Sequence, residues 1–99
     1  MYQIVVTPAA KEDIKDAAKW YNFQKANLGK ILIARFNEKA SDIKNNPFIV
    51  QVRFDDVRVA FLKQFPYSIH YKVKEELKTI VIHAFFHEHR NPEEWKDRM

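Results

Sequence analysis

The chain has 99 residues, of which 46% are hydrophobic and 14% aromatic, and its 17 Lys and Arg outnumber 13 Asp and Glu to give a formal net charge of +4. This size predicts one compact domain over residues 1–99 that folds without metal or disulfide cross-links. Because cysteine is absent and glycine occurs once, thiol chemistry and Gly-rich nucleotide loops are excluded, and we expect no cofactor.

The net charge favours an acidic or polyanionic partner, although small soluble domains carry as much for solubility alone. The chain opens with neither a basic region nor a long apolar run, and no stretch reaches membrane-spanning length. We therefore expect a cytoplasmic protein that does not associate with membranes.

The first half of the chain predicts a strand and two helices. Apolar residues alternate over residues 2–6, as in a strand with one buried face. Thr7 and Pro8 are typical of an N-cap and a first helical position, and the Glu12-Asp13 pair is expected to interact with the positive end of the helix dipole. Asn27 is a candidate cap for a second helix, which Asn45-Asn46-Pro47 ends because the residue before proline avoids the helical region.

The second half predicts strands over residues 50–54, 57–64, 67–74 and 79–86. On the third of these, alternation directs Tyr67 toward the core and Ser68 and His70 toward the solvent. A turn centred on residues 76 and 77 would pair Tyr71 with Ile82 and His70 with His83.

The fold class that follows is α+β, in the order β-α-α-β-β-β with a fourth late strand allowed by the pattern and a short C-terminal helix. A helical hairpin is expected to cover one face of a mainly antiparallel sheet.

The layout and several motifs resemble the RelE/ParE superfamily of bacterial toxins from type II toxin-antitoxin modules, which includes plasmid stabilisation proteins. The resemblance covers essentially the whole chain. Its most specific parts are residues 65–73, Phe-Pro-Tyr-Ser-Ile-His-Tyr-Lys-Val, and residues 87–92, His-Glu-His-Arg-Asn-Pro, with Trp95; Thr7-Pro8-Ala9-Ala10, Pro47, Val57-Arg58 and Phe61-Leu62-Lys63 also match.

This resemblance implies a growth-inhibiting toxin that a cognate antitoxin neutralises in a hetero-oligomeric complex. One branch of the superfamily enters the ribosome and cuts mRNA without a metal. Another branch poisons DNA gyrase and has no nuclease activity. The target is therefore either the ribosome with its mRNA or DNA gyrase, and whether the chain is an enzyme stays open.

The nuclease branch needs groups that move protons and cations that stabilise the charge developing on the phosphate. The candidate catalytic residues for that branch are Arg58, His87, His89 and Arg90, and the candidate RNA-binding residues are Lys63 and Trp95. Each has a structural alternative: an arginine in a strand also pairs with nearby carboxylates, and a tryptophan on a terminal helix also anchors that helix to a sheet.

The chain departs from the nuclease pattern at three of its positions. Ser68 stands where that branch typically has an arginine, His89 aligns with an arginine, and Trp95 aligns with a tyrosine. These departures favour a non-enzymatic, ParE-like gyrase inhibitor. The alternatives are a RelE-like ribosome-dependent endonuclease and a degenerate toxin that only binds its antitoxin.

The four histidines also raise the question of a metal site. A cross-strand pair of His70 and His83, joined by His87 and His89, would supply nitrogen ligands. Their spacing matches no established zinc pattern and no cysteine joins them, so we expect no metal and interpret them as residues of a polar face.

Overall fold

Two helices pack on one face of a five-stranded sheet in the computed structural model, which describes residues 1–90 and Arg98. The strands are β1 (Gln3–Val6), β2 (Val52–Phe54), β3 (Val57–Phe61), β4 (Tyr67–Lys74) and β5 (Thr79–His87), the helices are α1 (Pro8–Gln24) and α2 (Leu28–Asn45), and Glu75–Leu77 form a 3-10 turn. The predicted α+β class and element order are confirmed, whereas the predicted C-terminal helix lies outside the described residues.

The sheet is mainly antiparallel, as predicted. Its strand order is β1-β5-β4-β3-β2, and among these five described strands only the β1–β5 pair is parallel. The strand expected over residues 57–64 ends at Phe61, and the connection that follows it includes Gln64, whose backbone is left-handed with φ of 72°. Arg35 Nε of α2 donates to Gln64 Oε1 at 2.6 Å and fixes this connection to the helix layer.

A bulge in the β4–β5 pair divides its register into two parts. Between the bulge and the β4–β5 turn, Tyr71 pairs with Ile82, which confirms the predicted register. On the side of the bulge away from that turn, His70 pairs with Ala84, so the expected pairing of His70 with His83 is wrong. The extra residue in β5 shifts every later pair, and a symmetric turn argument cannot anticipate that shift.

The core lies between the helices and the sheet. Tyr71 is fully buried in it and donates its hydroxyl to the Pro47 carbonyl oxygen at 2.8 Å, which ties the end of the helical hairpin to the centre of the sheet. Fully or almost fully buried side chains in this layer include Leu32, Phe36, Ile43, Ile69, Ile80, Ile82 and Phe85. Within the described residues neither helix combines the length and apolarity that a membrane crossing requires.

Thr7 links the start of α1 to the sheet. Its hydroxyl accepts from the Ala10 N–H at 3.1 Å, as an N-cap does, and its own N–H donates to the Ile82 carbonyl oxygen at 3.1 Å. The first turn of α1 holds no acidic residue, so the dipole role expected for Glu12 and Asp13 is wrong.

The turn between the helices depends on the chain's single glycine. Asn27 has φ of 69° and makes no side-chain cap; instead Asn22 Oδ1 accepts from the Gly29 N–H at 2.8 Å. A Cβ at Gly29 would overlap the Ala18 carbonyl oxygen and approach the Asn22 side chain to 2.8 Å. Glycine at this position therefore lets α1 and α2 come close.

Gly29→Ala is expected to lower the free energy of unfolding by about 1–3 kcal/mol, because overlap with backbone outweighs the roughly 1 kcal/mol that alanine adds by helix propensity. Urea unfolding would measure the change. Ser41→Ala, at an exposed position of the same helix, is the control and should shift stability by less than about 0.5 kcal/mol. A Gly29→Ala protein that is more stable than the parent would contradict the close-approach explanation.

The face of the sheet away from the helices holds a second, smaller core. Ala84 and Phe86 are buried there, with Phe54 packed against them. Ser68 and His70 are fully buried on this side, so their expected position on a polar, solvent-facing side is wrong. The His70 Nε2 and Ser68 Oγ atoms lie 3.0 Å apart, and the His70 ring packs edge-on against Phe86.

His70 makes stability depend on pH. Burial, and to a smaller extent the charge of Arg53, lowers the pKa of His70 from 6.5 to about 4. Between these values the unfolded chain binds a proton that the folded chain excludes, so this contribution is complete above pH 6.5 and is lost as the pH falls toward 4. The expected loss is about 3 kcal/mol, measured by urea unfolding across this range.

His70→Gln is expected to remove most of this pH dependence, although it also lowers stability at every pH. Burial and the charge of Lys72 lower the pKa of His83 too, so a smaller dependence of the same sign should remain. His89→Gln, which changes an exposed ring, should keep the full dependence. Equal pH slopes for the parent and His70→Gln would rule out His70 as the source.

Candidate functional site

A cleft of about 610 Å³ lies between α1 and the end of β5. Three parts of the chain form it: one face of α1, the aromatic pair at the β4–β5 end, and the turn that follows β5. The described part of its lining combines carboxylates, aromatic rings, imidazoles and a guanidinium, which makes it the candidate functional site.

One wall of the cleft is a face of α1. Asp13, Asp16, Ala17 and Trp20 lie on it, at spacings of three and four residues that place side chains on one side of a helix. The Trp20 side chain is 57% exposed although it is large and apolar. A half-exposed tryptophan beside a carboxylate suits contact with a ligand or partner, because its ring offers a large apolar area with a polar N–H at its edge.

The floor of the cleft is aromatic. Tyr67 at the start of β4 stacks on Phe85 of β5 with ring centroids 4.9 Å apart, and Tyr21 from α1 approaches Tyr67 at 6.1 Å. Burial raises the pKa of the Tyr67 hydroxyl, with Tyr21 adding to the shift and Arg90 opposing it. Tyr67 is therefore a neutral hydrogen-bonding group at physiological pH.

The third part is a tight turn after β5. The Arg90 N–H donates to the His87 carbonyl oxygen at 3.0 Å, and the His89 N–H donates to His87 Nδ1 at 3.1 Å. The two imidazole rings lie 5.2 Å apart. In a neutral His87 ring this bond leaves the proton on Nε2, so the ring can donate at Nε2 but cannot accept a proton there.

Arg90 extends from this turn to the opposite side of the sheet. Its guanidinium carbon lies 4.3 Å from the Phe86 ring centroid, and that of Arg98 lies 5.0 Å from the same ring. Among the described residues Arg90 is the only lysine or arginine in the wall of the cleft.

Asp13 holds the cleft together. One carboxylate oxygen accepts from the Phe85 N–H at 3.1 Å, and Arg98 donates to both carboxylate oxygens at 2.6 and 3.1 Å. Strand β1 pairs with β5 only as far as Ile82, so no strand from residues 1–90 lies beside the edge of β5 past that point. Thr7, Asp13 and Arg98 supply hydrogen bonds to that edge, at His83 and Phe85.

The structure brings together three of the candidate residues, His87, His89 and Arg90, in the cleft. Arg58 lies elsewhere: it is a β3 residue opposite Tyr71, donates to the Val50 carbonyl oxygen at 2.5 Å, and stacks on Phe48. Lys63 is exposed in the β3–β4 connection and does not line the cleft. Trp95 falls outside the described residues.

Sequence reasoning did not identify Asp13, Asp16 and Trp20 as site residues. Trp20 falls off the apolar stripe of α1, and a large aromatic residue on the polar side of an amphipathic helix was the available signal. Within residues 1–90 and Arg98, no group of three or more His, Asp and Glu is placed to hold a metal ion.

Comparison with known proteins identifies the family. Residues 4–92 match the model of the ParE toxin of the type II toxin-antitoxin system parDE. The chain therefore belongs to the ParE toxin family and is a toxin of a type II toxin-antitoxin system. No curated protein matches its sequence significantly.

Solved structures share the fold at low sequence identity. A chain of the chromosomal ParDE system from P. aeruginosa has a TM-score of 0.76 at 19% identity, covering 88% of this chain and 96% of that one. A chain of the intact E. coli RelBE toxin-antitoxin complex has 0.71 at 16%, covering 91% and 100%. The isolated E. coli RelE toxin has 0.68 at 14%, covering 98% and 95%. At these identities the likeness extends to the fold alone.

Asp13→Ala is expected to lower the free energy of unfolding by about 3 kcal/mol, because it leaves the Phe85 N–H and the Arg98 guanidinium without their acceptor. The substitution should increase the hydrogen-exchange rate of the Phe85 amide more than it increases the rate of an average core amide. Asp16→Ala is the matched control, since Asp16 is exposed one turn further along α1. Equal effects of the two substitutions on stability would contradict the role given to Asp13.

Proposed function

We propose that this toxin inhibits growth by binding DNA gyrase, without cutting RNA, and that a cognate antitoxin neutralises it in a hetero-oligomeric complex. The family match supports the gyrase target. The neighbours that are toxin-antitoxin assemblies, from ParDE of P. aeruginosa and RelBE of E. coli, support the antitoxin partner.

The distribution of positive charge carries the proposal against RNA cleavage. Phosphodiester cleavage without a metal needs several cations converging on the phosphate. Arg58 and Lys63 lie outside the cleft, and the described part of its wall sets one arginine, Arg90, against the carboxylates of Asp13 and Asp16. Arg98 already pairs with Asp13, so Asp16 is the carboxylate that opposes Arg90, and one guanidinium falls short of the several cations that the reaction needs.

Two further observations agree with a binding function. His87 Nδ1 already accepts the His89 N–H, so the neutral ring is not set up as a base toward the cleft. Ser68, at the position where the nuclease branch typically has an arginine, is fully buried on the far side of the sheet beside His70. A longer charged side chain at that position would have to displace the second core.

The second candidate is a RelE-like ribosome-dependent mRNA endonuclease. The observation that favours it is the convergence of His87, His89 and Arg90 beside Tyr67 in one cleft. There the RNA 2′-hydroxyl would attack the adjacent phosphate and lose its proton to water. His87, protonated on both nitrogens once its bond with the His89 N–H is given up, would pass the Nε2 proton to the leaving oxygen, and Arg90 would stabilise the charge on the phosphate.

Induction of the chain in a bacterial host separates the two functions. For a gyrase inhibitor, thymidine incorporation is expected to stop before amino-acid incorporation, mRNA stays intact, and purified toxin inhibits supercoiling by purified gyrase. Pulse labelling, primer extension on mRNA and a supercoiling assay are the measurements. mRNA cleaved at defined sites while gyrase stays active would overturn the proposal in favour of the nuclease.

Substitution of the imidazoles sharpens this test. His87→Ala should leave inhibition of purified gyrase within about threefold, whereas an endonuclease would lose roughly 10²–10⁴ in cleavage rate with its proton donor. Lys30→Ala, on the exposed start of α2 and away from the cleft, is the control for expression and folding.

A further inference from the structure

An exposed strip of acidic and aromatic residues runs along α1 and continues the wall of the cleft. Asp16, Trp20 and Phe23 follow one another at spacings of four and three residues, which places their side chains on one side of the helix. Asp16 and Trp20 line the cleft, whereas Phe23 lies outside its lining and is 91% exposed. We call these three residues the α1 strip.

The Trp20 ring is supported on one side and uncovered on another. Tyr21 meets it at an interplanar angle of 87° with ring centroids 4.9 Å apart, and Tyr21 itself packs against Phe65 at 5.0 Å. In a perpendicular pair only one ring presents a face to the other, so at least one face of the Trp20 indole is free of Tyr21. Because more than half of this side chain is exposed, that face is accessible to a ligand.

The cations of the described chain do not cover that face. Within residues 1–90 and Arg98, the Lys and Arg side chains that lie over aromatic rings cover those of Phe61, Phe48, Tyr2 and Phe86. Trp20 is not among these rings, although an indole attracts a cation more strongly than a phenyl or phenol ring does. The exposed indole therefore differs from the rings that the protein itself pairs with cations.

Asp16 supplies negative charge one turn before Trp20. Side chains four residues apart on a helix have Cβ atoms about 5–6 Å from each other, so one cation can touch both. Of the two carboxylates in the described lining, Asp13 is bound by Arg98, which leaves Asp16 open to a ligand. The Arg90 guanidinium carbon lies 4.3 Å from the Phe86 ring centroid, on the opposite side of the sheet.

A guanidinium is the ligand group that satisfies both neighbours. It is planar, so it stacks on the face of an indole, and its N–H groups donate in pairs to a carboxylate. Tyr67 contributes a hydroxyl acceptor to the same lining. The ammonium group of lysine is a point charge without a flat surface, so the site favours arginine over lysine.

Phe23 indicates that the arginine belongs to a protein. A free amino acid or a small amine held between Asp16 and Trp20 would leave the Phe23 ring in water. An apolar residue next to the arginine in a polypeptide covers that ring, since Trp20 and Phe23 are about 4.5 Å apart along the helix axis and adjacent residues of a chain are about 3.8 Å apart.

We propose that the α1 strip recognises the target protein of this toxin, by binding an arginine of the target between Asp16 and Trp20 and an adjacent apolar residue on Phe23. This inference rests on the proposed function, since gyrase is the target on which it is tested. It adds to that function the class of side chain that the cleft takes.

The first measurement uses a capped Leu-Arg-Leu tripeptide and does not depend on the target. Its titration, followed by the indole N–H resonance of Trp20 and assigned with Trp20→Phe, should saturate with a Kd on the order of 1 mM. Leu-citrulline-Leu has nearly the same shape without the charge and should bind at least about fivefold more weakly, as should the arginine peptide to Asp16→Asn. Equal binding of the two peptides to the parent would overturn the guanidinium site.

The second measurement is inhibition of purified gyrase by toxin variants. Asp16→Lys should raise the concentration for half inhibition about tenfold, because the new ammonium group repels the target arginine, and Trp20→Ala should raise it about fivefold. Asp42→Lys makes the same charge change at an exposed position of α2 outside the cleft lining, and as the matched control it should change inhibition by less than about twofold. Urea unfolding verifies that each variant is folded.

The outcomes separate this inference from the proposed function. Gyrase inhibition that Asp16→Lys and Trp20→Ala leave unchanged would overturn recognition by the α1 strip and leave the gyrase target intact. A toxin that binds the arginine peptide through Asp16 and Trp20 while gyrase stays active would overturn the gyrase target and retain the arginine site. Loss of antitoxin binding in Asp16→Lys, with gyrase inhibition unchanged, would assign the strip to the antitoxin and overturn the inference.

Discussion

The carboxylate of Asp13 is the interaction on which the cleft depends. Strand β5 is longer than the strand that flanks it, so part of its edge reaches past β1 with backbone groups that need partners. Asp13 supplies one acceptor to that edge and binds Arg98 with both oxygens. A single side chain therefore joins α1, β5 and the end of the described chain, and the open space beside this junction is the cleft.

The β4–β5 bulge is the second constraint, because it decides which residues at the end of β5 face the helices and which face the other side. Past the bulge, Phe85 joins Tyr67 on the helix side and forms the cleft floor with it, while Phe86 turns to the other side, where Ser68 and His70 of β4 are also buried. Arg90 then lies over Phe86 instead of adding its charge wholly to the cleft. The electrostatic character of the candidate site thus follows from a shift of one residue in one strand.

The two ends of the sheet differ in chemistry. At one end carboxylates, imidazoles and aromatic rings surround a cleft; at the other, Lys78 and Arg58 cap two rings and have no carboxylate partner among the described residues. Arg58, whose type and position in the sequence suit a phosphate site, lies at the second of these ends.

Local patterns in the sequence determined the element order, the helix starts and the β4–β5 register between the bulge and the turn that joins the two strands. Thr7 with Pro8 and the alternation in β4 act within a few residues, so they can be interpreted without a structure. The family resemblance likewise rested on contiguous motifs, and the family match confirms it.

Only the tertiary structure decided the bulge, the burial of His70, the position of Arg58 and the contribution of Asp13, Asp16 and Trp20 to the cleft. Each depends on groups far apart in the chain: Asp13 meets Phe85 and Arg98, and Arg58 meets Phe48 across a connection that periodicity does not describe. Periodicity reports which side of an element a residue occupies, whereas a site is made where several elements meet.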